Sequence, residues 1–112
     1  MNRESKKYLF DVLAACDEIA SFVRGESRES YVSNALLRRA VERDVEIIGE
    51  ALAQLRSADP ETAASVPDSS RIIGMRHRLI HGYAEVDDDI VWDAANHDIP
   101  ELADIVRTLL DQ

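Results

Sequence analysis

Val41-Glu42-Arg43-Asp44-Val45-Glu46-Ile47-Ile48-Gly49-Glu50-Ala51-Leu52-Ala53-Gln54-Leu55 is the stretch that decides the fold. Within it Val41, Val45, Ile48, Leu52 and Leu55 recur at steps of 4, 3, 4 and 3. That spacing gathers side chains on one face of an α-helix, while Arg43, Glu46 and Glu50 fall on the other side. The pattern predicts one helix from about Glu29 to Arg56, the long arm of a bundle.

The same period organises the flanks. Leu9, Leu13, Cys16, Ala20 and Val23 predict an earlier helix, and Gly25 follows where it would end. Pro60 and Pro67 with several Ser and Asp mark a connection between Ser57 and Ser70 that holds at most a short helical turn. A further helix starts near Asp68 or Ser69. Asp87 to Asn96 predicts a short helix with an acidic first turn against the positive end of the dipole. Asp98-Ile99-Pro100-Glu101 then has the form of a capping box with proline in the first turn, launching Leu102, Ile105, Val106 and Leu109.

No sustained apolar-polar alternation and no Asn-Gly or Asp-Gly turn competes with the helical pattern, and no internal repeat is present. The expectation is an all-α, up-and-down bundle of four to five helices, one domain over residues 1–112. At 112 residues the core is modest, and a partner subunit often completes one of this size.

Net charge of −9 argues against non-specific coating of nucleic acid, which needs a broad basic surface, but permits a small basic site. Cys16 stands alone, so no internal disulfide forms, and a free thiol in an apolar context fits a reducing cytoplasm. Asp11, Asp17 and Glu18 interrupt the first apolar segment, which excludes a secretory leader or membrane span there.

One segment departs from the acidic background. From Ser69 to Ala84 there is no Asp or Glu among 16 residues, yet three Arg, two of the three His and Tyr83 are present. Such an island usually faces an anion. On a wheel with Ile72 at the origin, Met75, Leu79, Ile72, Ile80 and Ile73 span an apolar arc, and Arg76 falls inside it at about 40°. A guanidinium there is costly to desolvate unless it is received by an anion or carbonyl. Three fates are open to Arg76. It sits at a polar pocket in a subunit interface, pairs with an internal acid such as Glu46 or Glu50, or packs its stem with the head in water.

His81 lies at about 180° on the same wheel, apart from Arg76. Gly82 is expected to stop the helix in a left-handed conformation and release Tyr83, leaving His81 at the carbonyl end of the dipole, where cations are favoured. An ordinary stabilising cap explains a lone histidine there equally well. His77 and His81 are four apart, but Arg78 occupies the place where the helical zinc-protease pattern needs Glu, and no metal or other cofactor is expected. Neither a Gly-rich phosphate loop nor a Gly-x-Ser-x-Gly elbow exists, and Cys16 has no companion His in its segment. The acidic run Asp87 to Asp89 is explained by a solvated helix start, and Trp92 by the core or an interface.

If the anion is the phosphate of an RNA, Arg and His supply the roles of phosphodiester cleavage without a metal. His81 can take the 2′-hydroxyl proton or protonate the leaving 5′-oxygen, and Arg76 can clamp the phosphate and stabilise charge developing on it. Tyr83 can orient phosphate or base. One His is thin for both acid and base work, so a homodimer uniting two copies of this face is expected.

Arg76, four residues, His81, Gly82 and Tyr83 resemble the R-x4-H-x-Y motif of HepT-like toxins in the HEPN superfamily. The similarity continues through Arg43 to Leu52, Ile72 to Tyr83, Ile90-Val91-Trp92 and Asp98 to Leu102, in that family's order. The resemblance implies a dimerising helical bundle that acts as a metal-independent endoribonuclease, the toxin of a type VII-like toxin-antitoxin system, on RNA such as tRNA or mRNA. Arg76 and His81 take the catalytic positions, with His77 and Arg78 supporting. It also implies a partner, a minimal nucleotidyltransferase antitoxin that neutralises the toxin by adding AMP to Tyr83. One departure is His77, where the family commonly has Asn; it adds a second titratable group or marks weak cleavage. Two other readings compete. One is a non-catalytic helical binding module accompanying a nucleotidyltransferase, which the acidic balance favours slightly. The other is a plain dimerisation bundle with a structural Arg76.

Overall fold

The computed structural model describes residues 1–82 and 86–112. Among them every regular element is helical. The helices are α1 (Arg3–Val23), α2 (Arg28–Ser33), α3 (Ala35–Ala58), α4 (Pro60–Ala63), α5 (Ser69–His81), α6 (Asp88–Asp93) and α7 (Ile99–Leu110), with a π-helical turn over Ala94–Asp98. The long rods form one bundle in which α3 packs between α1 and α5, and α1 packs between α3 and α7.

The α3 stripe read from sequence is the core. Val41, Val45, Ile48, Leu52 and Leu55 are all buried. On α1 the buried face is Leu9, Val12, Cys16, Ile19 and Val23, so it lies rotated from the predicted one: Leu13 is half-buried and Ala20 exposed. That rotation serves two neighbours at once, since α1 meets both α3 and α7. Gly25 ends α1 with φ of 77°.

The expected single helix from Glu29 is in fact two. Ser27 and Ser30 exchange side-chain and backbone bonds in a capping box that starts α2. Asn34 then leaves helical geometry at ψ of 98° and its side chain accepts the Leu37 N–H, beginning α3 afresh. Asparagine competes with the helix here through its own backbone bond. The short α2 is fastened to α6. Arg28 pairs with Asp89 and Asp93 at 3.0 and 2.6 Å, and Tyr31 packs against Trp92 with ring centroids 5.3 Å apart.

The chain end also differs from expectation. Asp98 is helical and its side chain caps nothing, so α6 runs through the π-turn straight into α7. Pro100 gives the reason. In an unbroken α-helix its ring would strike the carbonyl four residues back, and the wider π-turn, closed by the Ile99 N–H donating to the Ala94 carbonyl, makes room.

One buried acid sets a pH dependence. Asp44 is 4% exposed at the seam of α1 and α3. Its pKa is pushed up to about 7, first by burial and then by Glu18 within hydrogen-bonding reach. A raised folded-state pKa means that the protonated acid's contribution is complete below the unfolded value near 4 and is lost as pH rises to about 7. Asp44→Asn is expected to stabilise the fold by an amount that grows from pH 4 to pH 7 and then levels at a few kcal/mol at most, on the order of the free energy of the shift. A gain independent of pH in thermal melts contradicts this.

Candidate active site

Helix α5 begins after Asp68, which holds φ of 63°, a left-handed conformation that Asp tolerates. Ile72, Met75 and Leu79 are buried, while Ile73 is half-buried and Ile80 exposed. The close approach of α5 to α3 depends on Gly49. A Cβ placed there would stand 2.5 Å from the Arg76 Cβ and 2.9 Å from its Cδ, so the arginine stem lies directly over the glycine. No periodicity points to this residue, because glycine in a helix interior reads only as a cost. Its signal is steric and needs the partner helix in view.

Lying across Gly49, Arg76 points its guanidinium at Glu50, 2.7 Å away. That carboxylate also accepts from the Gln54 side-chain amide at 3.0 Å. Of the two acids anticipated for Arg76, Glu50 is the partner, since Glu46 pairs with Arg43 at 3.3 Å. The Arg76 Nε is buried with no hydrogen-bond acceptor among the described residues. The side chain is 28% exposed and opens into a groove of about 480 Å³ shared with Lys7, Tyr8 and Ile80. The groove's cations each meet an acid of this chain, Lys7 with Asp11 at 3.3 Å, Arg43 with Glu46, and Arg76 with Glu50. An incoming phosphate must displace Glu50 or share Arg76 with it.

His81 is the last residue of α5, exposed, with its ring 4.5 Å from that of His77. The two imidazoles sit on the solvent side of a helix that stays regular to its end, so one copy of the chain does not bring Arg76 and His81 onto a common face. Gly82 does not resolve this as expected. Its φ is −120° rather than left-handed, and its N–H donates to the Arg78 carbonyl at 2.8 Å. The helix is thus closed by an ordinary backbone bond in a conformation open to other residues. Tyr83 lies outside the described residues. Arg78 is exposed, and no described carboxylate pairs with it.

Elsewhere, Cys16 is buried and its thiol is pushed up to about 12, chiefly by that burial, which leaves it a core residue rather than a nucleophile. Among the described residues no three His, Cys, Asp or Glu side chains gather as ligands, and no helix is long and apolar enough to cross a membrane.

Fold and site together define a class, a helical bundle carrying Arg-x4-His on one helix, with the Arg docked on its neighbour and the His exposed at the helix end. Comparison with known proteins makes this specific. The family described as ribonuclease HepT-like matches residues 12–109. A protein of Caldanaerobacter subterraneus subsp. tengcongensis, provisionally named an RNase, is 37% identical over 96% of this chain and 95% of its own length. One from Methanocaldococcus jannaschii, likewise provisionally an RNase, is 35% identical over 89% of this chain and 85% of its own. The probable ribonuclease HepT of Thermococcus cleftensis is 33% identical over 91% and 92%. No solved structure matches. The chain belongs to the HepT-like ribonuclease family.

Proposed function

We propose that the protein is a metal-independent endoribonuclease, the toxin of a type VII-like toxin-antitoxin pair, and that it works as a homodimer. The observation that carries this reading is the docked Arg76, half-buried with an unpartnered Nε, five positions ahead of an exposed His81 at the helix end. A guanidinium that the fold holds in place is prepared to receive a phosphate, and an exposed imidazole is free to move a proton. The 2′-hydroxyl attacks the adjacent phosphorus as one His81 takes its proton. The bond to the 5′-oxygen breaks as a second protonated imidazole supplies a proton to it, leaving a 2′,3′-cyclic phosphate and a 5′-hydroxyl. Arg76 stabilises the charge on the non-bridging oxygens. His77 and Arg78 support the strand from the same helix.

Separation of Arg76 from His81 around α5 supports the homodimer, since a second copy facing the first supplies the missing group to each half. Inactivation is proposed to occur by AMP addition to Tyr83 by a minimal nucleotidyltransferase, because an anionic group next to the motif occupies the phosphate's place and repels RNA. The test is intact mass after expression with and without such a transferase. The expected result is added adenylyl groups that disappear in Tyr83→Phe, together with relief of growth inhibition. Unchanged mass in protein whose toxicity is nevertheless relieved overturns the modification.

A further inference from the structure

Helices α5 and α6 do not pack tightly, and between them lies a cleft of about 560 Å³ on a different side of α5 from the Arg76 groove. Its floor is apolar, built from Met75, Leu79 and Val91, and Ile90 stands 46% exposed on its wall. Gly74 opens the backbone of α5 into it, because a Cβ there would meet nothing within 4 Å. Two guanidiniums edge the cleft. Arg71 and Arg78 are seven residues apart, about 10 Å along the helix, and so lie on one side of it. Arg71 touches Asp98 at 3.5 Å with 65% of its side chain exposed, and no described carboxylate pairs with Arg78. The acid on the rim, Asp87, is engaged by its own helix, accepting the Asp89 and Ile90 N–H groups at 2.9 and 3.4 Å.

We propose that this cleft binds one nucleotide of a single-stranded RNA, with its base against the apolar floor and its flanking phosphates on Arg71 and Arg78. The inference rests on the ribonuclease reading and adds a substrate subsite to it. Charge selects the occupant. On a chain of net charge −9, a polyanion can lie only where cations are grouped, and the solvent side of α5 carries Arg71, His77, Arg78 and His81 with no carboxylate of its own. Arg78 is three residues before His81, so a strand held by the two arginines leads directly to the proposed proton-transfer group. An apolar slot between cations suits an unstacked base, whereas a duplex keeps its bases inside the stack. Two guanidiniums fit successive phosphates of a strand better than the single phosphate of free AMP.

The test uses the full chain carrying His81→Ala, so that RNA stays intact, and a fluorescent 12-nucleotide single-stranded RNA read by anisotropy. Gly74→Leu fills the cleft from a position with open space around it, and Arg78→Gln removes one phosphate contact. Each is expected to weaken binding about fivefold or more, while Arg24→Gln on the exposed end of α1 leaves it unchanged. In the His81-containing protein, Gly74→Leu raises KM with little change in kcat. Unaltered affinity in both variants overturns the subsite, as does competition by free AMP at concentrations below the RNA Kd. Loss of a dimer by Gly74→Leu in gel filtration assigns the cleft to a second copy and overturns it too. The readings fail separately: a parent protein that binds RNA through Gly74 and Arg78 but cleaves none keeps the subsite and loses the ribonuclease, and one that cleaves with an unchanged KM in Gly74→Leu does the reverse.

Discussion

His81→Ala is expected to reduce RNA cleavage by roughly 10³-fold, within the range for removal of a general acid or base. Arg76→Ala is expected to cost about 10² to 10³, the scale of losing a preorganised donor to a developing anion. Both variants should relieve growth inhibition while keeping the parent's elution volume. The two substitutions separate the competing readings because they touch the fold differently. His81 is exposed at the end of α5, so its replacement leaves the melting temperature nearly unchanged. Arg76 packs over Gly49 and binds Glu50, so its removal also destabilises. Were Arg76 purely structural, Arg76→Ala would lose stability and His81→Ala would lose nothing. A non-catalytic binding module predicts no cleavage by the parent protein, and a parent that cleaves in a His81-dependent way excludes it.

Gly49→Ala is the second large effect. The added Cβ would lie 2.5 Å from the Arg76 Cβ, an atom too close to the backbone to swing aside. Helix α5 must therefore shift from α3. Overpacking of this kind costs typically 1–3 kcal/mol, of which the better helix propensity of alanine returns about 1. The expected net loss is up to about 2 kcal/mol in denaturant melts, and Gly49→Leu should leave little folded protein. Cleavage is expected to fall further than stability accounts for, because the same shift carries Arg76 away from its place. Gly49→Ala with the parent's stability and cleavage would show that α5 is not seated by this contact.

The sequence was most informative where one face of a helix meets one partner. Every apolar position of the α3 stripe is buried, because period and packing coincide there. On α1, which serves two neighbours, the buried face is rotated and Val12 and Ile19 replace Leu13 and Ala20 in the core. The break at Asn34 was hidden because apolar periodicity resumes on both sides of it, and capping by Asn34 is a local event that the stripe does not register. At Asp98 the reverse occurred. Capping-box letters were present, but Pro100 is accommodated by a π-turn and the helix never stops.

In the candidate site, Arg76 on the apolar arc was legible, as was Glu50 as one of two possible partners. Gly49 was not, since its reason lies in a contact between α3 and α5. The left-handed residue expected at Gly82 is instead found at the start of α5, in Asp68. Wheel geometry had already separated His81 from Arg76, and the folded chain keeps them apart because the helix stays regular through His81.

The most direct measurement is the chemistry of the cut ends. Purified protein is incubated with RNA in excess chelator, and the product termini are determined for the parent and for His81→Ala. Proton transfer by His81 with phosphate held by Arg76 predicts 2′,3′-cyclic phosphate and 5′-hydroxyl ends in chelator, absent with His81→Ala. Cleavage that stops in chelator and returns with a divalent cation, or that persists undiminished without His81, would contradict it.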